Sequence, residues 1–366
     1  MAQPTNFNNP WQWVYDFQNE ARRKGDRLRE QLCTLCFEAT NYKETDPDKA
    51  ISRLKQGRGL AEVLNEPLWV MFYDYLLSTV LIWDKRDTAA GLDLAVRVAV
   101  SASAPEYRHW PFTPSVHYAL LNAYSSYDPL SYRDEILTGA TYLDNELNSN
   151  CDIWKVLPSL RHSLYCSEEN IEAAMHSLDQ YFERGQGNSY MLCRAYYRLC
   201  SHHFVTGQYR ELMEASEIGV QHAQLRNHCK LVLIKLQIWQ AIAAFGDRNV
   251  DLSQQYYRNA VTTMRSLGDA IQRDQIGNLA IYYEFTYALD NALAYRNEIV
   301  ACALVHGSPY HEYAARLGRC RLLKIMGLLT EEEIEATRNV RNQFKHPDRY
   351  PRRLEKIIAG DTTYFL

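Results

Sequence analysis

The residue types best suited to catalysis lie near the C-terminal end of the chain, where Arg341-Asn342 is followed by an imidazole at His346. On a helix, a spacing of five places Arg341 and His346 within reach of one phosphate; the guanidinium would hold the anion and the imidazole would move a proton. Lys345, Arg349, Arg352 and Arg353 add positive charge nearby, which suits RNA or an acidic protein surface equally. Three fixed letters in six positions also arise readily by chance in helices that contain Arg and His. The competing reading is a solvated helix that ends at His346, before Pro347.

Other constellations carry less. Cys33 and Cys36 form a CxxC, but no second Cys or His pair follows at zinc-site spacing, and LCTLCFEA reads as one helix face. His202 and His203 are adjacent, so on a helix their side chains point about 100° apart and do not easily share an ion. One of them is expected to be packed and the other exposed. His222, His228 and Cys229 straddle an expected turn and lack a fourth ligand at suitable spacing. No Gly-rich phosphate loop, HExxH or GxSxG occurs. Neither a metal nor a cofactor is expected.

The composition agrees with that shortage of catalytic motifs. The 366 residues are 46% hydrophobic and 23% charged, with a formal charge of −4. This is ordinary globular composition, without the basic excess of a dedicated nucleic-acid binder, so a nucleic-acid partner is not expected. The positive charge is local: Tyr310 to Leu366 carries 11 Lys and Arg against 8 Asp and Glu. Nine cysteines scattered among apolar helix formers read as reduced core residues. Apolar runs such as Leu76 to Trp83 stop well short of the roughly 18 residues of a membrane span, and the first residues do not resemble a secretory signal. The expectation is a cytoplasmic protein with no membrane association.

The elements that would position these residues are helices throughout. Apolar residues recur three and four apart, Pro and Gly fall between the apolar stretches, and no strand-like alternation appears. The segment Leu231 to Phe245 keeps the helical period for four turns and stops at Gly246. Seven helical hairpins follow in series: Pro67 to Ser103, Thr113 to Leu147, Asp152 to Arg184, Ser189 to Gln224, Asn227 to Leu267, Ala270 to His306 and Tyr310 to Ile358. Thr330 and Glu333 supply a capping box for the final helix. Recurrence on one scale implies a solenoid, in which each hairpin buries its apolar face by stacking on its neighbours.

The fourth hairpin carries a family resemblance. In AYYRLCSHHFVTGQYRELMEASEIGVQHA, Gly207 and Tyr209 form a Gly-x-aromatic turn and Leu199-Cys200 stand where a Leu-Gly-like pair belongs. It resembles a divergent tetratricopeptide repeat. Gly246-Asp247, Leu289-Asp290 and Gly327 echo that turn, closing successive first helices. Second helices echo each other through Ser253, Tyr257 and Ala260, then Ala294, Glu298 and Ala301. The resemblance implies an all-α, α-α superhelix (solenoid) of about seven such hairpins, with residues 1–65 as an N-terminal helical cap, 66–309 as the array and 310–366 as the last hairpin and C-terminal cap. Separately, Arg341-Asn342-x-x-x-His346 resembles the motif of HEPN-type ribonucleases, which implies RNA cleavage by the 2′-hydroxyl at a dimer interface.

The repeat resemblance implies a non-catalytic scaffold, regulatory adaptor or enzyme inhibitor that binds another protein or a peptide segment in a groove lined by first helices. Alignment on the closing turns directs Arg194, Tyr197, Ser201, Gln240, Tyr283, Tyr287, Arg321 and Lys324 toward the groove. Leu199, Cys200 and Phe285 are directed between helices. The alternative is a HEPN-like nuclease with Arg341, Asn342 and His346 as its catalytic residues and the repeats as its sensor.

Overall fold

Apolar periodicity is realised as eighteen α-helices among the residues that the computed structural model describes: 7–43, 46–85, 87–225, 229–266 and 269–364, with the backbone alone at 269–276 and 306. No strand occurs among them, and the chain is all-α. It divides into two compact units, Met1–Trp154 with Val305–Ser308, and Lys155–Leu304 with Pro309–Leu366.

The first unit begins with α1 (Trp11–Lys24), α2 (Arg27–Tyr42) and α3 (Pro47–Val63), followed by α4 (Pro67–Val80) and α5 (Thr88–Ala102), then α6 (Thr113–Tyr127) and α7 (Arg133–Glu146). Helix starts follow local chemistry. Asp26 and Asp46 accept the backbone N–H groups of Arg29 and Lys49, and Pro47 fills the first helical position, where a missing N–H costs nothing. Each helix packs on the next in the chain. Trp69, Phe72 and Tyr73 of α4 are fully buried; Trp13 lies 4.9 Å from Trp69 and Phe112 lies 4.6 Å from Phe72, ring centre to ring centre. Cys33 and Cys36 are buried in this core, where burial raises both thiols and pushes Cys33 up to about 12. They are packing residues.

Two glycines of α3 separate helix propensity from packing. A Cβ on Gly57 would stand 2.1 Å from the Tyr73 ring, whose hydroxyl donates to the Leu32 carbonyl, whereas a Cβ on Gly59 would meet nothing within 4 Å. Gly59→Ala should therefore stabilise by about 0.5–1 kcal/mol, the helical preference for Ala. Gly57→Ala should instead destabilise by about 2–3 kcal/mol, because overpacking and a displaced Tyr73 hydroxyl that loses its acceptor outweigh that gain. Urea unfolding of the two variants checks the opposite signs.

The second unit comprises α8 (Asp152–Ser167, its first turn belonging to the first unit), α9 (Ile171–Arg184), α10 (Ser189–Val205), α11 (Tyr209–Gln224), α12 (Lys230–Gly246) and α13 (Val250–Arg265). It continues through α14 (Asp269–Phe285), α15 (Leu289–His306), α16 (Pro309–Ile325), α17 (Glu331–Arg341) and the short α18 (Arg353–Ile358). The hairpin expected from Ser189 to Gln224 coincides with α10 and α11; the limits Asn227 and Leu267 expected for the next lie outside the described residues. Beyond sequential contacts, α10 packs on α12 and α12 on α14. First helices thus stack on first helices, the contact pattern of a helical-repeat solenoid.

Several turn details differ from the sequence expectation. Gly207 and Gly327 adopt left-handed φ angles of 70°, as a Gly-closed first helix requires, but the left-handed residue after α12 is Arg248, at 63°. Gly246 is helical; a Cβ there would collide with the Tyr209 ring at 2.4 Å. After α14 the turn is Thr286 to Ala288, with Tyr287 at φ 61°, so Leu289-Asp290 begins a second helix instead of closing a first. The α15 register moves with it: Ala292 and Ala303 are buried, whereas Ala294 and Ala301 face solvent. The capping box of α17 is half made. Thr330 accepts the Glu333 N–H, but the Glu333 carboxylate is drawn to Arg319 across the hairpin.

Candidate partner-binding face

The eight residues directed toward a groove all belong to the second unit, and their surroundings differ. Arg194, Tyr197 and Ser201 follow one another along α10: Arg194 is exposed and bonds the Tyr190 hydroxyl, Tyr197 lies 5.4 Å beneath the Lys235 ammonium, and Ser201 donates to the Tyr197 carbonyl at 3.4 Å. Gln240 is buried. Tyr283 belongs to a tyrosine cluster, stacked on Tyr295 and hydroxyl to hydroxyl with Tyr257, while Tyr287 stands 81% exposed at the α14–α15 turn. Phe285 packs against Phe204, Tyr209 and Phe245, and Cys200 is fully buried.

Arg321 and Lys324, three residues apart on α16, are both engaged by the C-terminal segment of the chain. Lys324 Nζ donates to the Ile358 carbonyl and an Arg321 guanidinium N–H donates to the Thr362 carbonyl, each at 2.9 Å. Arg321 is only 3% exposed. Its other nitrogen bonds Glu284 of α14, which is also held by Arg296 of α15 at 2.6 Å, so a single buried carboxylate serves two guanidiniums. The Tyr364 ring covers Arg321 at 3.7 Å and packs on Phe204 of α10 at 4.6 Å. Sequence alone marks Arg321 as an available cation; it does not show Glu284, 37 residues earlier, waiting beneath it.

A second polar cluster, invisible in the spacing, joins α8 to α10. His162 Nε2 lies 3.0 Å from His202 Nε2, Cys166 Sγ lies 3.7 Å from the His162 ring, and Arg198 places an N–H 3.1 Å from His162 Nδ1 while donating to Ser159 and Ser163. A guanidinium only donates, so His162 accepts at Nδ1, keeps its proton on Nε2 and passes that hydrogen bond to His202. Burial, reinforced by Arg198, holds His162 down at about 2; burial, then His203 and Arg198, holds His202 at about 4. Burial pushes the Cys166 thiol up to about 11. Two imidazoles and a thiol within 4.8 Å of one another are a donor set for Zn²⁺ or Cu⁺. An ion at Nε2, however, would have to expel the proton that Arg198 fixes there. The residues fit a neutral hydrogen-bonded chain better than a metal. His203 is half-buried and bonds Gln208, so of the adjacent histidines one is packed as expected and the other is only partly exposed. His222 stacks on Tyr196 and Cys229 is buried; His228 lies outside the described residues.

The Arg341-Asn342-x-x-x-His346 string does not occupy a helix. α17 ends at Arg341, Asn342 is its C-cap, and the chain turns through 343–346 into a short 3₁₀ segment at Pro347–Arg349. A helix ending at His346 is therefore corrected by five residues: Phe344 turns inward onto Tyr313 and stacks on Tyr350, which pulls the chain off the helical path. Arg341 is engaged by Glu355 at 3.0 Å and by the Pro347 carbonyl. Asn342 is exposed and His346 half-buried.

Stacked first helices in the second unit and sequentially packed helices in both define the class, a helical-repeat protein. No family model matches the chain, and no curated protein matches it. Among solved structures, the apo form of the quorum sensor NprR from B. thuringiensis is similar in fold, with a TM-score of 0.57 over 86% of this chain and 86% of that one at 13% identity. At that identity the likeness is one of fold. No helix among the described residues is long and apolar enough to cross a membrane.

Proposed function

We propose that this chain is a non-catalytic interaction module, a regulatory adaptor or inhibitor, that holds an extended segment of a partner protein against the first-helix face of its second unit. One observation carries the reading: Arg321 and Lys324 of α16 each hold a main-chain carbonyl of an adjoining segment. Carbonyl capture tolerates many sequences, and neighbouring side-chain pockets add the selectivity. The fold shared with a quorum sensor favours a sensing or regulatory role over a structural one. Arg194, Tyr197 and Ser201 of α10, the Tyr283 cluster and the exposed Tyr287 would extend the contact surface; Tyr and Arg are the residue types that dominate such surfaces. A ribonuclease reading has no comparable support, because Arg341 is already engaged by Glu355 and the helical spacing it needs is absent.

The test changes exposed residues only. Arg194→Ala combined with Tyr287→Asn, where Asn suits the left-handed turn, should leave the melting temperature within about 2 °C. The same variant used as bait should recover the partners enriched by the unmodified chain at least tenfold less. Equal recovery would remove this face from the binding surface.

A further inference from the structure

The C-terminal segment is docked in a manner unlike the rest of the chain. After α18, Gly360 takes a φ of 102° and the Asp361 carboxylate accepts both the backbone N–H and the hydroxyl of Thr363, a local turn that redirects the chain. The redirected segment is non-helical, and Asp361 and Thr363 face solvent. Among the described residues, the Thr362 carbonyl sits on Arg321 and the Tyr364 ring lies between Arg321 and Phe204. The receiving site is built independently of it, by α10, α14, α15 and α16, and its floor carries two guanidiniums for one carboxylate. That surplus of positive charge favours an aromatic π face, which Tyr364 presents to Arg321, whereas the Asp361 carboxylate is turned to Thr363.

We propose that this site is a recognition pocket for an extended partner segment that offers a main-chain carbonyl followed two residues later by a tyrosine, and that Thr362–Tyr364 is its resident occupant, which the partner displaces. The proposal rests on the reading of the second unit as a segment-binding face and names its ligand chemistry. A tethered occupant acts at an effective concentration of the order of millimolar. A free segment binding the open pocket at about 100 µM would therefore appear roughly tenfold weaker when the tail is present.

The experiment uses a fluorescently labelled peptide of residues 359–364 and follows anisotropy with three proteins: the full chain, a chain ending at Gly360, and the full chain with Tyr364→Ala. Binding to the shortened chain and to Tyr364→Ala is expected to be at least tenfold tighter than to the full chain, and a peptide with its tyrosine replaced by alanine should bind none of them. Equal binding to all three proteins, or no binding to folded variants, would overturn the proposal. So would failure of both variants to fold, since the tail would then be part of the core. The segment-binding reading is judged separately: if Arg194→Ala/Tyr287→Asn loses its partners while the peptide binds nothing, the pocket falls and the face stands. If the peptide binds as expected and that variant keeps its partners, the pocket stands and the wider face falls.

Discussion

Glu284→Ala is expected to destabilise the second unit by about 3–5 kcal/mol, the usual cost of removing one partner from a buried ionic cluster. Glu284 is buried between Arg296 and Arg321, and Arg321 is almost inaccessible to water. Without the carboxylate, two guanidiniums are left in a poorly solvated site, one of them still touching a main-chain carbonyl and a tyrosine ring. Glu284→Gln keeps an acceptor and the shape but removes the charge, so it should cost less than the alanine variant. Because the cluster is shielded, added salt should change these differences little. Urea unfolding with a probe in the second unit, such as Trp239 fluorescence, reads the effect; a loss below about 1 kcal/mol in Glu284→Ala would mean that the cluster is open to water.

Acidification should act through His162 and His202. Both have folded-state values far below the ordinary 6.5 for histidine, so the folded chain keeps them neutral while the unfolded chain takes up protons below that value. Their contribution is complete above about pH 6.5 and is lost as the pH falls, toward about 4 for His202 and about 2 for His162. Between pH 7 and pH 5 the loss should approach about 2 kcal/mol for each imidazole. The neighbours reinforce the sign: Arg198 and the adjacent His203 oppose a second positive charge, and the buried Cys166 thiol offers no compensating anion. Urea midpoints at pH 7 and pH 5 measure the slope, and His202→Gln should remove about half of it. An unchanged slope in that variant would place the acid sensitivity elsewhere.

Helix existence was legible in the sequence because its causes are local. Asn188, Asn249 and Thr330 cap α10, α13 and α17 through their own side chains, and Gly207 and Gly327 supply the left-handed residue at their turns. The hairpin limits expected from apolar period, Pro and Gly agree with the helix ends to within a few residues wherever both lie among the described residues. Where a turn used Arg248 or Tyr287 in place of glycine, no local signal announced the left-handed residue, and after α14 the inferred register slipped. The sites depended on what the fold brings together. His162 and His202 are 40 residues apart, Arg321 is 37 from Glu284, and Tyr364 reaches Phe204 from 160 positions away. A periodic pattern states which face of a helix is buried, since burial follows from the apolar stripe. It does not state which polar group on a neighbouring helix will meet a buried guanidinium or imidazole, because that pairing is set by helix register and crossing geometry, properties of the packed chain alone.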